Sequence, residues 1–279
     1  MQVAIVGIGL IGGSMALALK EQGFANAVIG VDQNLDHQHQ ALELKLVDRI
    51  LPLDEAIAVS DLIILAIPVN AAEKILPHIL DLTDRQVIMD VGSTKEGLLN
   101  CIANHPKRGR FVATHPMWGT EYSGPQAAVT GAFRNKATVI CNKEENDADA
   151  LAIVEAAYQA MGMHRVYMNA KDHDVHVAYV SHISHITSFA LANTVLEKEK
   201  GEDAIFELAS GGFESTVRLA KSNPDMWVPI FMQNKENVLD VLNEHIAQLR
   251  KFKSCLEKEN YDYLKELIEQ ANGIRRILK

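Results

Sequence analysis

Two different rhythms divide the chain. Up to about residue 170, short β-rich apolar runs alternate with stretches whose apolar positions recur every three or four residues. The runs predict strands at Val3–Val6, Ala27–Val31, Leu62–Ile67, Val87–Val91, Arg110–Thr114 and Ala137–Cys141, with a short closing strand at His164–Met168. The intervening pattern predicts helices at Gly12–Glu21, Leu35–Leu44, Ala71–Ile79, Lys95–Ala103 and Asp147–Met161. Strands that read as continuous apolar runs are buried on both faces, which implies a parallel sheet with helices on each side.

Beyond that point strand signals stop. Asp172–Lys198, Val238–Leu256 and Tyr261–Leu278 each carry apolar residues at helical spacing, and Asn223-Pro224-Asp225 has the residues of a helix entry. The expected architecture is α/β: a doubly wound, mostly parallel sheet over residues 1–169, then an all-helical domain over 170–279. The broad apolar faces of the second part predict burial against a second copy of the chain, a homodimer.

Composition narrows the class. A length of 279 residues gives one large or two medium domains with ample core, and 48% hydrophobic content fits a globular protein. A net charge of -9 without any Lys/Arg run argues against a nucleic-acid surface or an anionic-membrane anchor, leaving small ligands as the expected partners. The 3 cysteines are scattered, without the spacing of a disulfide framework or zinc site. There is no basic leader at Met1-Gln-Val-Ala-Ile-Val and no apolar run of about 18 residues, so a cytoplasmic protein is expected.

The candidate chemistry begins at Gly7-Ile8-Gly9-Leu10-Ile11-Gly12, which follows the first strand and opens the first helix. In that position Gly7 permits a tight turn, Gly9 lets backbone approach a pyrophosphate, and Gly12 allows close packing of helix on strand, while the amides of the helix start face the anion. Asp32 ends the second strand, twenty residues past Gly12, where a carboxylate accepts from an adenosine ribose and repels a 2'-phosphate. NAD is therefore the expected cofactor, preferred over NADP; a helix cap is the alternative role for Asp32.

Ligands in such sheets lie beyond the carboxyl ends of the strands. That rule gathers Ala66-Ile67-Pro68-Val69, Asp90-Val91-Gly92-Ser93-Thr94-Lys95 and His115 around the same place. His115 is a candidate general base, and Ser93 has a hydroxyl able to orient it or to cap the next helix. In the helical half, Asp174, Ser181, His182 and His185 fall along one helical stripe, facing water or a site. A metal at His182-x-x-His185 is disfavoured, since no His-Glu-x-x-His or cysteine pair accompanies it. Arg218 is a candidate clamp for a carboxylate, with an ion pair to Glu214 as the alternative.

Taken together, the glycine loop, Asp90-x-Gly-Ser93-x-Lys95, His115-Pro-Met-x-Gly-x-Glu121, Ser181-His182-x-x-His185 and Arg218 to Trp227 resemble the prephenate and arogenate dehydrogenases of tyrosine biosynthesis, across essentially the whole chain. The resemblance implies a Rossmann domain, a helical dimerisation domain and an NAD-dependent oxidative decarboxylation. It further implies that His115 deprotonates the ring hydroxyl, that Ser93 orients His115, and that Arg218, His182, His185, Glu121 and Trp227 surround the substrate. Gly7, Gly9, Leu10, Ile11, Gly12, Asp32 and Pro68 would hold the cofactor, and no metal is implied. The chain departs from the family pattern at Ser215 and Val217, where several members have Asp and Thr, so Glu214 is expected to serve the network around Arg218. The chain also ends in a predicted helix at Lys279, so no regulatory domain is expected after it, and any tyrosine feedback would act at the active site.

Prephenate is expected over arogenate. The other readings open at this point are a β-hydroxyacid dehydrogenase, which resembles this layout but uses a lysine in its helical half, and a non-catalytic NAD-sensing protein.

Overall fold

The structure is a computed structural model that describes residues 1–199 and 210–277. The expected end of the last helical stretch, Leu278, and the final residue Lys279 lie outside the described residues.

Eight strands form one sheet in the order β3-β2-β1-β4-β5-β6-β7-β8. They are β1 (Gln2–Val6), β2 (Ala27–Val31), β3 (Arg49–Ile50), β4 (Leu62–Leu65), β5 (Val87–Asp90), β6 (Phe111–Pro116), β7 (Ala137–Cys141) and β8 (His164–Met168). The helices among them are α1 (Leu10–Glu21), α2 (Leu35–Glu43), α3 (Leu53–Val59), α4 (Val69–Leu82), α5 (Glu96–Asn100) and α6 (Ala148–Ala160). Side chains alternate faces along a strand. In β1, Val3 and Ile5 enter one core with Met15, Leu19 and Tyr158, whereas Ala4 and Val6 enter the other with Leu76, Ile79 and Leu80. Each such fully buried aliphatic side chain contributes about 1.5–3 kcal/mol, which is why runs of them select a sheet covered on both sides.

The strand order reverses between β1 and β4, opening a crevice at their carboxyl ends. One strand pair departs from the parallel rule: β7 runs antiparallel to β6, with His115 opposite Val139, so β7 and β8 both run against the other six strands. The physical reason is the connection. Residues 117–136 hold Gly119, Gly124 and Gly131 and only a short 3-10 turn, Pro125–Ala127, so no crossover helix carries the chain back to the start of the sheet. The α6 crossover then restores parallel pairing of β7 with β8. The small β3 and α3 were not expected, being too short to display a period.

After β8 the chain enters α7 (Ala170–Val177), a π-helical turn (Ala178–His182) and α8 (Ile183–Glu199) in place of the single regular helix expected over Asp172–Lys198. Then follow α9 (Gly211–Val217), a 3-10 turn (Arg218–Lys221) and α10 (Pro224–Gln233), whose entry is capped by the Asn223 side chain accepting from the Asp225 amide at 2.9 Å.

By packing, the chain divides into Met1–Asn234 and Lys235–Lys279. The second unit holds α11 (Lys235–Glu257) and α12 (Tyr261–Ala271), which pack on one another, the latter passing into a 3-10 turn at Asn272–Arg276. Leu249, Leu256 and Ile268 of this unit are exposed in the single chain. Among the described residues no helix is long and apolar enough to cross a membrane.

Candidate active site

The loop after β1 is built by glycines with separate jobs. Gly7 has a positive φ of 93°, and a Cβ there would lie 2.4 Å from the Ala66 carbonyl oxygen at the end of β4. A Cβ on Gly12 would lie 2.1 Å from the Gly7 carbonyl oxygen, so any side chain would push α1 off the loop. Gly9 is different: nothing lies within 4 Å of its Cβ direction. It caps α1 without any side-chain hydrogen bond, leaving the first-turn amides at Leu10 and Ile11 without a side-chain acceptor. Space above Gly9 and uncommitted amides below it fit a diphosphate.

Asp32 is tied to this loop. Its carboxylate accepts from the Ile8 amide at 3.0 Å and from the Asn34 amide at 2.9 Å. The alternative role as cap of α2 falls to Asn34, whose side chain accepts from the Asp36 and His37 amides. Pro68 stands exposed at the N-cap of α4, and the next residue, Val69, packs against Trp227 and Ile230 of α10.

His115 is the penultimate residue of β6 and is half-buried. Its Nδ1 lies 2.9 Å from His173 Nε2, and His173 Nδ1 lies 2.7 Å from the Asp174 carboxylate. That carboxylate also accepts from the backbone amides of Lys95 and Glu96, each at 2.9 Å. Lys95 is fully buried in an ion pair with Asp90, which in turn accepts from the Gly92 and Thr114 amides. A buried pair of this kind is costly to desolvate but over-determines position. Burial, and then the neighbouring His173, Lys95 and His182, hold the His115 imidazole well below its usual titration range. It is neutral at physiological pH.

Ser93 is half-buried, and the contact expected with His115 is absent: among the described residues the partner of His115 is His173. The capping role considered for Ser93 is filled by Asp174, reaching from α7 to the amides that start α5. The reason is geometric. A cap supplied by another element frees the residues before the helix, and here it also orders the Ser93 loop against the helical segment.

The polar stripe of the helical segment faces inward. Asp174 and His182 are buried, and the π turn between Val177 and Ile183 shifts the helical phase that a regular helix would impose. His182 Nδ1 accepts from the Asn234 amide nitrogen at 3.2 Å, and the same nitrogen donates to the Asp174 carbonyl at 2.7 Å. His182 Nε2 and Trp227 Nε1 are buried without a hydrogen-bond partner, two orphaned polar atoms on neighbouring rings. Burial pushes the His182 imidazole down to about 4. His185 donates from Nδ1 to the Ser181 carbonyl at 3.0 Å and stacks on Trp227 with ring centroids 3.5 Å apart.

Arg218 meets Glu121 at 2.6 Å; the pairing expected with Glu214 is not formed, because Glu121, in the loop after β6, is the acid within reach. Glu121's own backbone amide, followed by the Arg218 guanidinium, holds its carboxyl below the usual range against the opposing effect of burial. Arg218 also acts electrostatically on His185. Among the described residues no group of three or more His, Cys, Asp or Glu side chains is arranged to hold a metal ion.

The sequence reading therefore reaches His115, Asp174, His182, His185, Trp227, Arg218 and Glu121, which the structure links into one region. It misses His173 and Asn234, and the ion pairing of Asp90 with Lys95, two residues it had placed at the site. His173 was overlooked because it lies beside Asp174 and off the stripe of offsets that singled out its neighbours; the signal available was its adjacency to a carboxylate.

A doubly wound sheet with a glycine-loop cradle, and a neutral histidine at its carboxyl edge covered by histidine-rich helices, defines a nucleotide-dependent oxidoreductase layout. The chain belongs to the prephenate dehydrogenase family: residues 15–167 match its nucleotide-binding domain and residues 169–270 its dimerization domain. It is 29% identical to a prephenate dehydrogenase of Bacillus subtilis over 98% of this chain and 75% of that protein. It is also 29% identical to a cyclohexadienyl dehydrogenase of Zymomonas mobilis, over 99% of this chain and 96% of that one. Among solved structures it resembles prephenate dehydrogenase from A. aeolicus in complex with hydroxyphenyl propionate and NAD+, with a TM-score of 0.89 and 28% identity over 100% of this chain and 98% of that chain. The chain is thus a dehydrogenase of this family.

Proposed function

We propose that this dehydrogenase converts prephenate to 4-hydroxyphenylpyruvate with NAD, as a homodimer. The observation that carries the reading is the neutral His115, bound through Nδ1 and half-buried near the end of β6, on the same carboxyl edge of the sheet as the glycine loop. NAD, when bound, takes the hydride from the ring carbon bearing the hydroxyl. Gly7, Gly9, Leu10, Ile11 and Gly12 would hold its diphosphate and Asp32 its adenosine ribose, with Pro68 also on the cofactor side.

His115 accepts the proton of the ring hydroxyl as the carbon loses hydride. The ring carboxylate leaves as carbon dioxide, its electron pair passes into the forming aromatic ring, and the proton returns to the phenolic oxygen. Ser93, on the loop after β5, is assigned to the same hydroxyl. Arg218, steered by Glu121, engages a substrate carboxylate, while His182, His185 and Trp227 enclose the ring and its side chain. Exposed apolar residues such as Leu249, Leu256 and Ile268 are available to a second copy, in keeping with the dimerization domain to which this part belongs. The working division is a nucleotide-binding half to residue 169 and a substrate and dimerisation half from 170.

The deciding experiment is NADH formation by purified protein with prephenate, arogenate and simple hydroxyacids in parallel. Turnover of prephenate in preference to arogenate supports the reading. Well-folded protein that turns over neither cyclohexadienyl compound overturns it, and light scattering that gives a monomer overturns the dimer.

A further inference from the structure

We propose that His173, held by Asp174, is the positioning residue that presents His115 with its Nε2 as the proton acceptor and takes up the positive charge the proton brings. This rests on the reading of His115 as the base.

The argument follows hydrogen-bond direction. An ionised carboxylate only accepts, and Asp174 is committed to that role by two backbone amides at the start of α5. The His173 nitrogen 2.7 Å away, Nδ1, is therefore the protonated one. In a neutral ring that leaves His173 Nε2 with a lone pair, facing His115 Nδ1 at 2.9 Å. His115 Nδ1 must donate, so its own proton sits on Nδ1 and its Nε2 is bare. Reversing either ring would set lone pair against lone pair. The carboxylate thus fixes the tautomer of a base two rings away, the same logic by which an acid orients the histidine of a hydrolase triad.

When His115 Nε2 receives the substrate proton, the ring becomes a cation whose Nδ1–H is already directed at His173. The charge is shared along Nδ1–H···Nε2 toward Asp174, and the proton goes back to the product oxygen, so no proton is gained or lost. The other charged and titratable groups facing His115 are Lys95 with its partner Asp90, and His182. Lys95 and His182 oppose a cation at His115, as would His173 if it carried a charge of its own; burial keeps His173 neutral, and in that form it relays the influence of Asp174, the anion bonded to it.

Four variants of the full chain test this: His115→Asn, His173→Ala, His173→Gln and Asp174→Asn, each measured for kcat, both KM values, the pH profile and Tm. His173→Ala is expected to lower kcat by about 10- to 1000-fold while both KM values stay within about threefold, and to move the acid limb of kcat to lower pH. His173→Gln supplies an amide oxygen that accepts from Nδ1–H, so it regains at least about tenfold in kcat over the alanine variant, with the acid limb still displaced because an amide takes up no charge. Asp174→Asn displaces the limb in the same direction. A His173→Ala enzyme within about twofold of the parent in kcat overturns the inference. So does a His173→Gln enzyme as impaired as the alanine form, with raised KM and lowered Tm in both, since that is general structural damage. If His115→Asn itself keeps its kcat, the base assignment falls; if it is inactive while His173→Ala is not, only the present inference falls.

Discussion

Arg218 and Glu121, ninety-seven positions apart, meet at 2.6 Å, joining the 3-10 turn after α9 to the loop that follows β6. The Arg218 side chain is 48% exposed, so the contact contributes little to stability.

From this geometry Arg218→Ala is expected to raise the KM for prephenate by about tenfold or more with a smaller change in kcat, and Arg218→Lys to recover only part of the loss, since an ammonium lacks the planar fork. Glu121→Gln leaves the guanidinium in place without its anchor and is expected to act in the same direction but more weakly. Steady-state kinetics on the three variants check the order; an alanine variant that loses kcat at constant KM contradicts a binding role.

Neutral His115 has a consequence for pH dependence. Its proton affinity is lowered by burial and nearby cations, so the acid limb of kcat/KM is expected below 6.5, the ordinary histidine value, with activity held as pH falls through neutrality. His115→Asn is expected to lower kcat by about 10²- to 10⁴-fold while NAD binding, followed by fluorescence titration, is retained. A limb centred above 6.5 would place the essential base elsewhere.

The three loop glycines are expected to fail differently. Gly12→Ala forces a carbon onto the Gly7 carbonyl oxygen, so both Tm and NAD affinity fall. Gly9→Ala meets no protein atom, so Tm holds while NAD affinity drops, because the methyl group occupies the approach of the diphosphate. Thermal melts with and without NAD separate the two, and equal loss of Tm in both variants would count against the cradle.

Stability should itself depend on pH through His182. This imidazole is 0% exposed, and burial lowers it to about 4 in the folded chain, against about 6.5 when unfolded. Between those values the unfolded state binds more protons, so stability is complete above 6.5 and is lost as pH falls toward 4, by on the order of 3 kcal/mol. His182→Gln is expected to flatten the acid side of a Tm-against-pH curve relative to the parent. Parallel curves for the two proteins would show that this group does not supply the dependence.

The glycine loop and the sheet could be read from residues because their causes are local: a strand buried on both faces must be apolar, and a loop that touches a neighbouring carbonyl must be glycine. Candidate residues were legible where the residue type itself suggests chemistry, as at His115 and Arg218, and less so where side chains act on each other. Pairing Arg218 with Glu121 depends on a contact across ninety-seven positions, and sequence adjacency favoured Glu214 instead. The π turn shifts the phase of the stripe on which His182 and His185 were aligned, since offsets count residues and assume a constant pitch. The hydrogen-bond partner of His115 and the cap of α5 could not be read locally, because His173 and Asp174, which supply them, come from far along the chain.

The Asp174 cap on α5 bears on whether the nucleotide-binding half is self-sufficient. A fragment ending at Met168 would contain all eight strands and the complete glycine loop, yet the Lys95 and Glu96 amides would lack their acceptor and His115 Nδ1 its neighbour. A truncated or partly synthesised chain could therefore present a dinucleotide cradle without an ordered base. On the role proposed for His115, competence for chemistry waits for the first turns beyond the sheet to dock, a property of the longer chain and not of the sheet alone.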